Sequence, residues 1–255
     1  MMRISVINLT NIPDGRVQKV IRAINRQIKE DFAPSWGMDA LLRLEGKSTL
    51  RPRLQNPGDM RGDAVLYLWD NVNVADALGY HEENFRGIPY GVVFTELSRQ
   101  LGESWTVTLS HEALELIADP EANLLVAGPH PEHPHQVVFH WYEMCDAVQD
   151  ETYEIDGVEV SNFLLPLYFT KAQERGSRND FLGGLPALPS FGVRPGGYIG
   201  FIDPVTGESV TYEADRRAQR RARIKEQAGR ARRSVRYRHL GTRAGAVQRW
   251  MRATN

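Results

Sequence analysis

A single cysteine, Cys145, in 255 residues excludes an intrachain disulfide. No apolar run approaches the roughly 20 residues that a membrane-spanning helix needs. The first residues lack the long apolar stretch and small-residue cleavage site of a secretory signal, so cytoplasmic synthesis is expected. There is no internal repeat, no phosphate-binding loop and no dinucleotide fingerprint, which removes the commonest nucleotide-binding signatures. Cys145 sits beside Asp146, but no spacing pairs it with a histidine, and a small buried filler is the expected role.

Net charge is also nearly absent, at −1, but the balance is uneven along the chain. Residues 214–255 hold 14 Lys and Arg against 2 Asp and Glu, a balance of +12, while the preceding part has 17 against 30, a balance of −13. An acidic body of residues 1–212 is therefore expected to carry a basic, extended or helix-prone appendage over 213–255. Its arginines, including Arg216, Arg217, Arg220, Arg221, Arg223, Arg232 and Arg233, suit nucleic acid or an acidic protein surface. The plainer reading is a solvated tail resting on its own acidic body.

What the chain does have is concentrated in Ser110-His111-Glu112-Ala113-Leu114-Glu115-Leu116-Ile117-Ala118-Asp119-Pro120. At about 100° per residue, His111, Glu115, Asp119 and Glu112 fall at roughly 0°, 40°, 80° and 100° around a helix. The remaining arc is Ala, Leu and Ile, so the helix should be buried on most of its circumference. Carboxylates packed so closely repel one another and are costly to desolvate unless a cation or donors compensate them. Residues at i and i+4 aim two side chains at one ion, as in the pattern H-E-x-x-H, with Glu115 here in place of the second histidine. In that scheme His111 and Glu115 bind a metal and Glu112 is the general base. Asp119, about 12 Å along the axis from His111, is expected to orient a neighbour or cap a turn. An acidic solvated face containing a chance His-Glu pair is the competing reading.

A third ligand is expected from 141–147, where Glu143 and Asp146 stand at i and i+3 and would share a helix face. Glu143 is the first choice and Asp146 the second, the other then hydrogen-bonding the free ring nitrogen of His111. One histidine with two carboxylates is a hard ligand set, so manganese, calcium or iron stand beside zinc as candidate ions.

These residues resemble a family of uncharacterised bacterial and phage proteins described as zinc metallopeptidases, which carry a Ser-His-Glu-x-x-Glu-x-x-x-Asp-Pro helix and a later Glu-x-x-Asp. The resemblance extends to Gly79-Tyr80-His81, to Gly87-Ile88-Pro89-Tyr90, to residues 160–169 and to Pro195-Gly196-Gly197-Tyr198, and covers roughly residues 1 to 212. It implies a metal-dependent peptidase-like fold with His111 and Glu115 as ligands and Glu112 as base, and no particular substrate.

Elsewhere, residues 3–8, 40–44 and 64–69 read as strands, and 16–32 as a helix with Val17, Val20, Ile21, Ile24 and Ile28 at helical spacing. Residues 45–62 read as a loop. Residues 87–95 read as a strand at a sheet edge, where extended substrate can pair. His130, His133 and His135, broken by prolines, read as a surface turn, and His140 as a packed histidine in a strand over 137–141. Hairpins are expected around Asp156-Gly157 and around 203–207, with a wrapping loop over 176–197.

The expected architecture is thus α+β, a zincin-like mixed sheet with a backing helix, an active-site helix and the basic appendage. Two function classes follow. One is a metal-dependent hydrolase, a peptidase above all, acting on a protein or peptide. The other is a non-catalytic structural or interaction protein, such as a phage particle component and then virion-associated, with a peptidase-like fold and a basic tail for an anionic partner.

Overall fold

The computed structural model describes residues 1–45, 62–70, 79–83, 87–171 and 178–228. The chain is a mixed α/β protein built on a five-stranded and a four-stranded sheet with a separate hairpin. The expected loop over 45–62 lies almost wholly outside the described residues, as do Arg232 and Arg233.

The first sheet has the order β2-β1-β3-β5-β4, from β1 (Met2–Asn8), β2 (Ala40–Glu45), β3 (Ala64–Trp69), β4 (Gly79–Glu83) and β5 (Pro89–Phe94). The first four strands in that order run parallel, and β4 pairs antiparallel with β5. Parallel strands are buried on both faces, which explains why β1 and β3 read as continuous apolar runs. Their alternation still sorts side chains: Ile4, Val6, Leu66, Leu68 and Val93 enter one core cluster, and Ile7, Val65, Tyr67, Val92 and Phe94 the other.

The first cluster is closed by α1 (Asp14–Gln27), whose Val17, Val20, Ile21 and Ile24 form the expected stripe. The helix continues through a π turn, Ile28–Phe32, into α2, Ala33–Trp36. That widened turn precedes Pro34, whose ring and missing N–H disfavour a regular α turn. After β5 come α3 (Thr95–Leu101) and α4 (Trp105–Ala118), the helix that carries the His-Glu motif. α4 is buried on nearly every side, as a helix apolar around most of its girth must be.

Residues 87–95 do not form the sheet edge. β5 lies between β3 and β4, and β4 is the terminal strand among the described residues. Proline and glycine suit an edge strand, but here each has another reason. Pro89 is the first residue of its strand, where a missing N–H is tolerated. Gly91 lies where a Cβ would come within 2.7 Å of Leu66 Cδ2 and 2.9 Å of the Tyr80 carbonyl, a close approach that belongs to a strand interior.

The second sheet, order β11-β10-β7-β6, is antiparallel and contains β6 (Leu125–Pro129), β7 (Val137–Trp141), β10 (Tyr198–Ile202) and β11 (Ser209–Glu213). The His130 turn joins β6 to β7, with His133 and His135 exposed. His140 is packed: its Nε2 donates to the Pro129 carbonyl at 2.8 Å and its ring lies against Phe191. β8 (Thr152–Ile155) and β9 (Val158–Ser161) form the expected hairpin, with Asp156 and Gly157 both at positive φ (52° and 69°), as a type I′ turn requires.

α5 (Arg216–Ala228) opens the basic segment. Asp215 caps it, accepting the N–H groups of Arg217 and Ala218 at 2.9 Å each. Ala218 is buried, and Arg217 and Arg221 reach Asp150 at 2.7 and 2.5 Å, Arg221 also reaching Glu103 at 2.6 Å. No helix among the described residues is long and apolar enough to cross a membrane.

Candidate metal centre

A buried polar knot fixes α4 one residue ahead of the motif. Ser110 Oγ donates to Gln27 Oε1 at 2.7 Å and accepts the Ser161 N–H at 3.1 Å, while Gln27 Nε2 donates to the Ser161 carbonyl at 2.8 Å. α1, α4 and β9 are thereby pinned together with these groups paired, so the rotation of α4 about its axis is set. The next turn of α4 points His111 and Glu115 at the segment that follows β7.

There, His111 Nε2 lies 3.2 Å from Glu115 Oε2 and 3.2 Å from Asp146 Oδ1. Two ligands of one tetrahedral ion with bonds of about 2.0–2.1 Å stand roughly 3.3 Å apart, so each separation, taken as a pair, is one that two ligands of an ion can have. Glu115 Oε1 accepts the Cys145 N–H at 3.2 Å, which steers the carboxylate from behind. The Cys145 thiol groups with His111 and Glu115, all three ligand atoms lying within 4.8 Å of one another. Burial first, and then Glu115, push the Cys145 thiol well above its ordinary range. It stays protonated and packed, as expected of a filler rather than a nucleophile.

Glu143 and Asp146 do not share a helix. The chain leaves β7 at Trp141 in irregular backbone, and only Asp146–Val148 forms a short 3-10 turn. Both carboxylates are nevertheless buried at the site, in different places. Asp146 touches His111, whereas Glu143 groups with Glu115 and His81, again within 4.8 Å. A small cleft lies against Glu143 and Asp146, walled by Trp141, Tyr168, Phe169 and Gly200 among others.

His81 is the residue that sequence reasoning missed. It lies on β4, fully buried, and its Nε2 donates to the Asp119 carbonyl at 3.0 Å. The ring thereby turns Nδ1 toward Glu112 Oε2 at 3.6 Å and Glu115 Oε2 at 3.8 Å. Neither His81 Nδ1 nor Glu112 Oε2 has a hydrogen-bond partner, although both are buried. Strand alternation was the available signal: Gly79 and His81 share one face of β4. A Cβ on Gly79 would stand 2.6 Å from Glu112 Oε1, so glycine is what lets the strand lie on that carboxylate.

Asp119 has the capping job expected of it, accepting the Leu124 N–H at 2.8 Å, and its carbonyl orients His81. Burial raises the proton affinity of Glu112, and Glu115 adds to this against the opposing pull of His81 and His111. Burial alone would lower the His111 pKa. Glu115, then Asp146 and Glu112, together outweigh it and hold the ring well above its ordinary value. These shifts are those of acids and imidazoles buried against one another.

Of the arginines proposed for an anionic partner, Arg217 and Arg221 are engaged by Asp150 and Glu103, whereas Arg216, Arg220 and Arg223 are exposed. In comparison with known proteins, the chain matches no protein-family model, no curated protein and no solved structure.

Proposed function

We propose that the protein is a metal-dependent hydrolase, a peptidase above all, with His111, Glu115 and Asp146 as the ligands of a zinc or similar divalent ion. The observation that carries this reading is the pair of 3.2 Å separations from His111 Nε2 to the two carboxylates. The donor set fits a cation, because buried acids and imidazoles stand together with the His81 Nδ1 and Glu112 Oε2 atoms unpaired. Hard carboxylate oxygens admit manganese, calcium or iron as well as zinc. In finer terms the reading is zincin-like: a mixed sheet, an antiparallel terminal strand and an adjacent helix bearing the ligands, an arrangement analogous to the catalytic half of zinc peptidases.

A divalent ion held there would polarise the scissile carbonyl. Glu112, one residue after the first ligand and with its proton affinity raised, takes a proton from the attacking water and returns it to the leaving amine. The β4 backbone, terminal in its sheet among the described residues and resting on Glu112, offers main-chain groups to an extended substrate. Replacement of Glu112 by Gln should lower peptide hydrolysis by about 10²–10⁴-fold while metal content stays unchanged. Equal turnover in the variant would refute the assignment of the base.

The interaction reading keeps one specific support, the exposed Arg216, Arg220 and Arg223 on α5. A tail that binds nucleic acid or an acidic surface would do so through these and through residues beyond α5, and truncation after Tyr212 should remove that binding while sparing hydrolysis.

A further inference from the structure

We infer that this centre has two cation positions bridged by Glu115, the second held by His81, Glu115 and Glu143. The inference rests on the proposed His111 centre and extends it. Two imidazoles approach the same oxygen, Glu115 Oε2: His111 Nε2 at 3.2 Å and His81 Nδ1 at 3.8 Å. They fall in different ligand groups, with Cys145 on one side and Glu143 on the other, and Glu115 belongs to both. An acid shared between two groups of donors has the disposition of a bridging carboxylate.

Three further observations separate the second position from an ordinary acidic cluster. His81 is fully buried, its Nε2–H is committed to the Asp119 carbonyl, and Nδ1 has no hydrogen-bond partner. Metal-binding histidines are typically held in this way, one ring nitrogen donating to a carbonyl and the other left bare. Glu112 Oε2, 3.6 Å from that nitrogen, is unpaired as well. Charge points the same way. Glu112, Glu115, Glu143 and Asp146 are all buried and bear four negative charges when ionised. One divalent ion balances two of them, and a second balances the rest. Hydrolases with two ions use the pair to clamp attacking and leaving groups, and their shared ligand is commonly a carboxylate or water between them.

The test is metal stoichiometry of the full chain, stripped with a chelator and titrated with zinc alone, then with manganese alone. Two equivalents are expected in the wild type, falling to one in His81→Ala and to one in His111→Ala. Electron paramagnetic resonance of the manganese-loaded wild type should show an exchange-coupled pair, a readout that needs no variant to fold. Saturation at one equivalent with uncoupled manganese overturns the second position, whether that ion is lost only in His111→Ala or in both variants. Failure of the wild type to bind either metal instead overturns the His111 centre itself.

Discussion

Two clusters of carboxylates among the described residues, both largely withdrawn from solvent, are compensated in different ways. Around Arg194, Asp180 and Glu151 meet a guanidinium at 3.3 and 3.4 Å, Asn162 donates to Glu151 at 2.9 Å, and Arg194 donates to the Gly184 carbonyl at 2.8 Å. The chain supplies its own permanent cation there. Around α4 the groups brought against Glu112, Glu115 and Asp146 are the imidazoles of His81 and His111, and atoms of His81 and Glu112 are left unpaired. Imidazoles compensate acids only when protonated, whereas as neutral rings they are ligands. Each cluster keeps a buried atom without a hydrogen bond, Arg194 Nε in the first and His81 Nδ1 and Glu112 Oε2 in the second, and the difference between them is a permanent guanidinium against two imidazoles.

Breaking the self-compensated cluster should have the largest effect. Arg194→Leu leaves Asp180 buried without its guanidinium and should cost about 3–5 kcal/mol in denaturant unfolding, with no rescue by added metal. The α4 cluster should respond to metal instead. Zinc at about 100 times its dissociation constant should stabilise the fold by about 2.7 kcal/mol, seen as a rise in Tm that a chelator reverses. That gain should shrink in His111→Ala and persist in full in Arg221→Ala.

Smaller effects sharpen the contrast. Gly79→Ala forces a Cβ to within 2.6 Å of Glu112 Oε1, and should destabilise by about 1–3 kcal/mol and impair hydrolysis together. The smallest change is expected at the docked helix. Arg221→Ala removes ion pairs to Asp150 and Glu103 and should cost about 1 kcal/mol or less, with α5 exchanging amide protons faster and hydrolysis unaltered.

Local patterns were legible from the residues, and pairings between distant segments were not. The 3.6-residue stripe of Val17, Val20, Ile21 and Ile24 placed α1, and the polar strip on an apolar cylinder placed α4 with His111 and Glu115 side by side. Asp156-Gly157 marked its hairpin because few residues accept two positive φ angles in succession. Strand order depends on partners far along the chain, so β5 read as an edge although β4 covers it. Glu143 and Asp146 reach the site through irregular backbone and a short 3-10 turn, so the helical spacing argument drew both to the site for a reason that does not hold. His81 stayed hidden because a single histidine in a short strand has no periodicity; its role arises only when β4 is laid on α4.

The central claim is that His111, Glu115 and Asp146 grip one divalent ion. Anomalous diffraction at the zinc absorption edge, from crystals of zinc-loaded protein, tests it most directly. A peak within about 2.0–2.2 Å of His111 Nε2 and of both carboxylates is predicted. Featureless anomalous density there, with His111 hydrogen-bonded straight to Glu115 and Asp146 in fully loaded crystals, would contradict it.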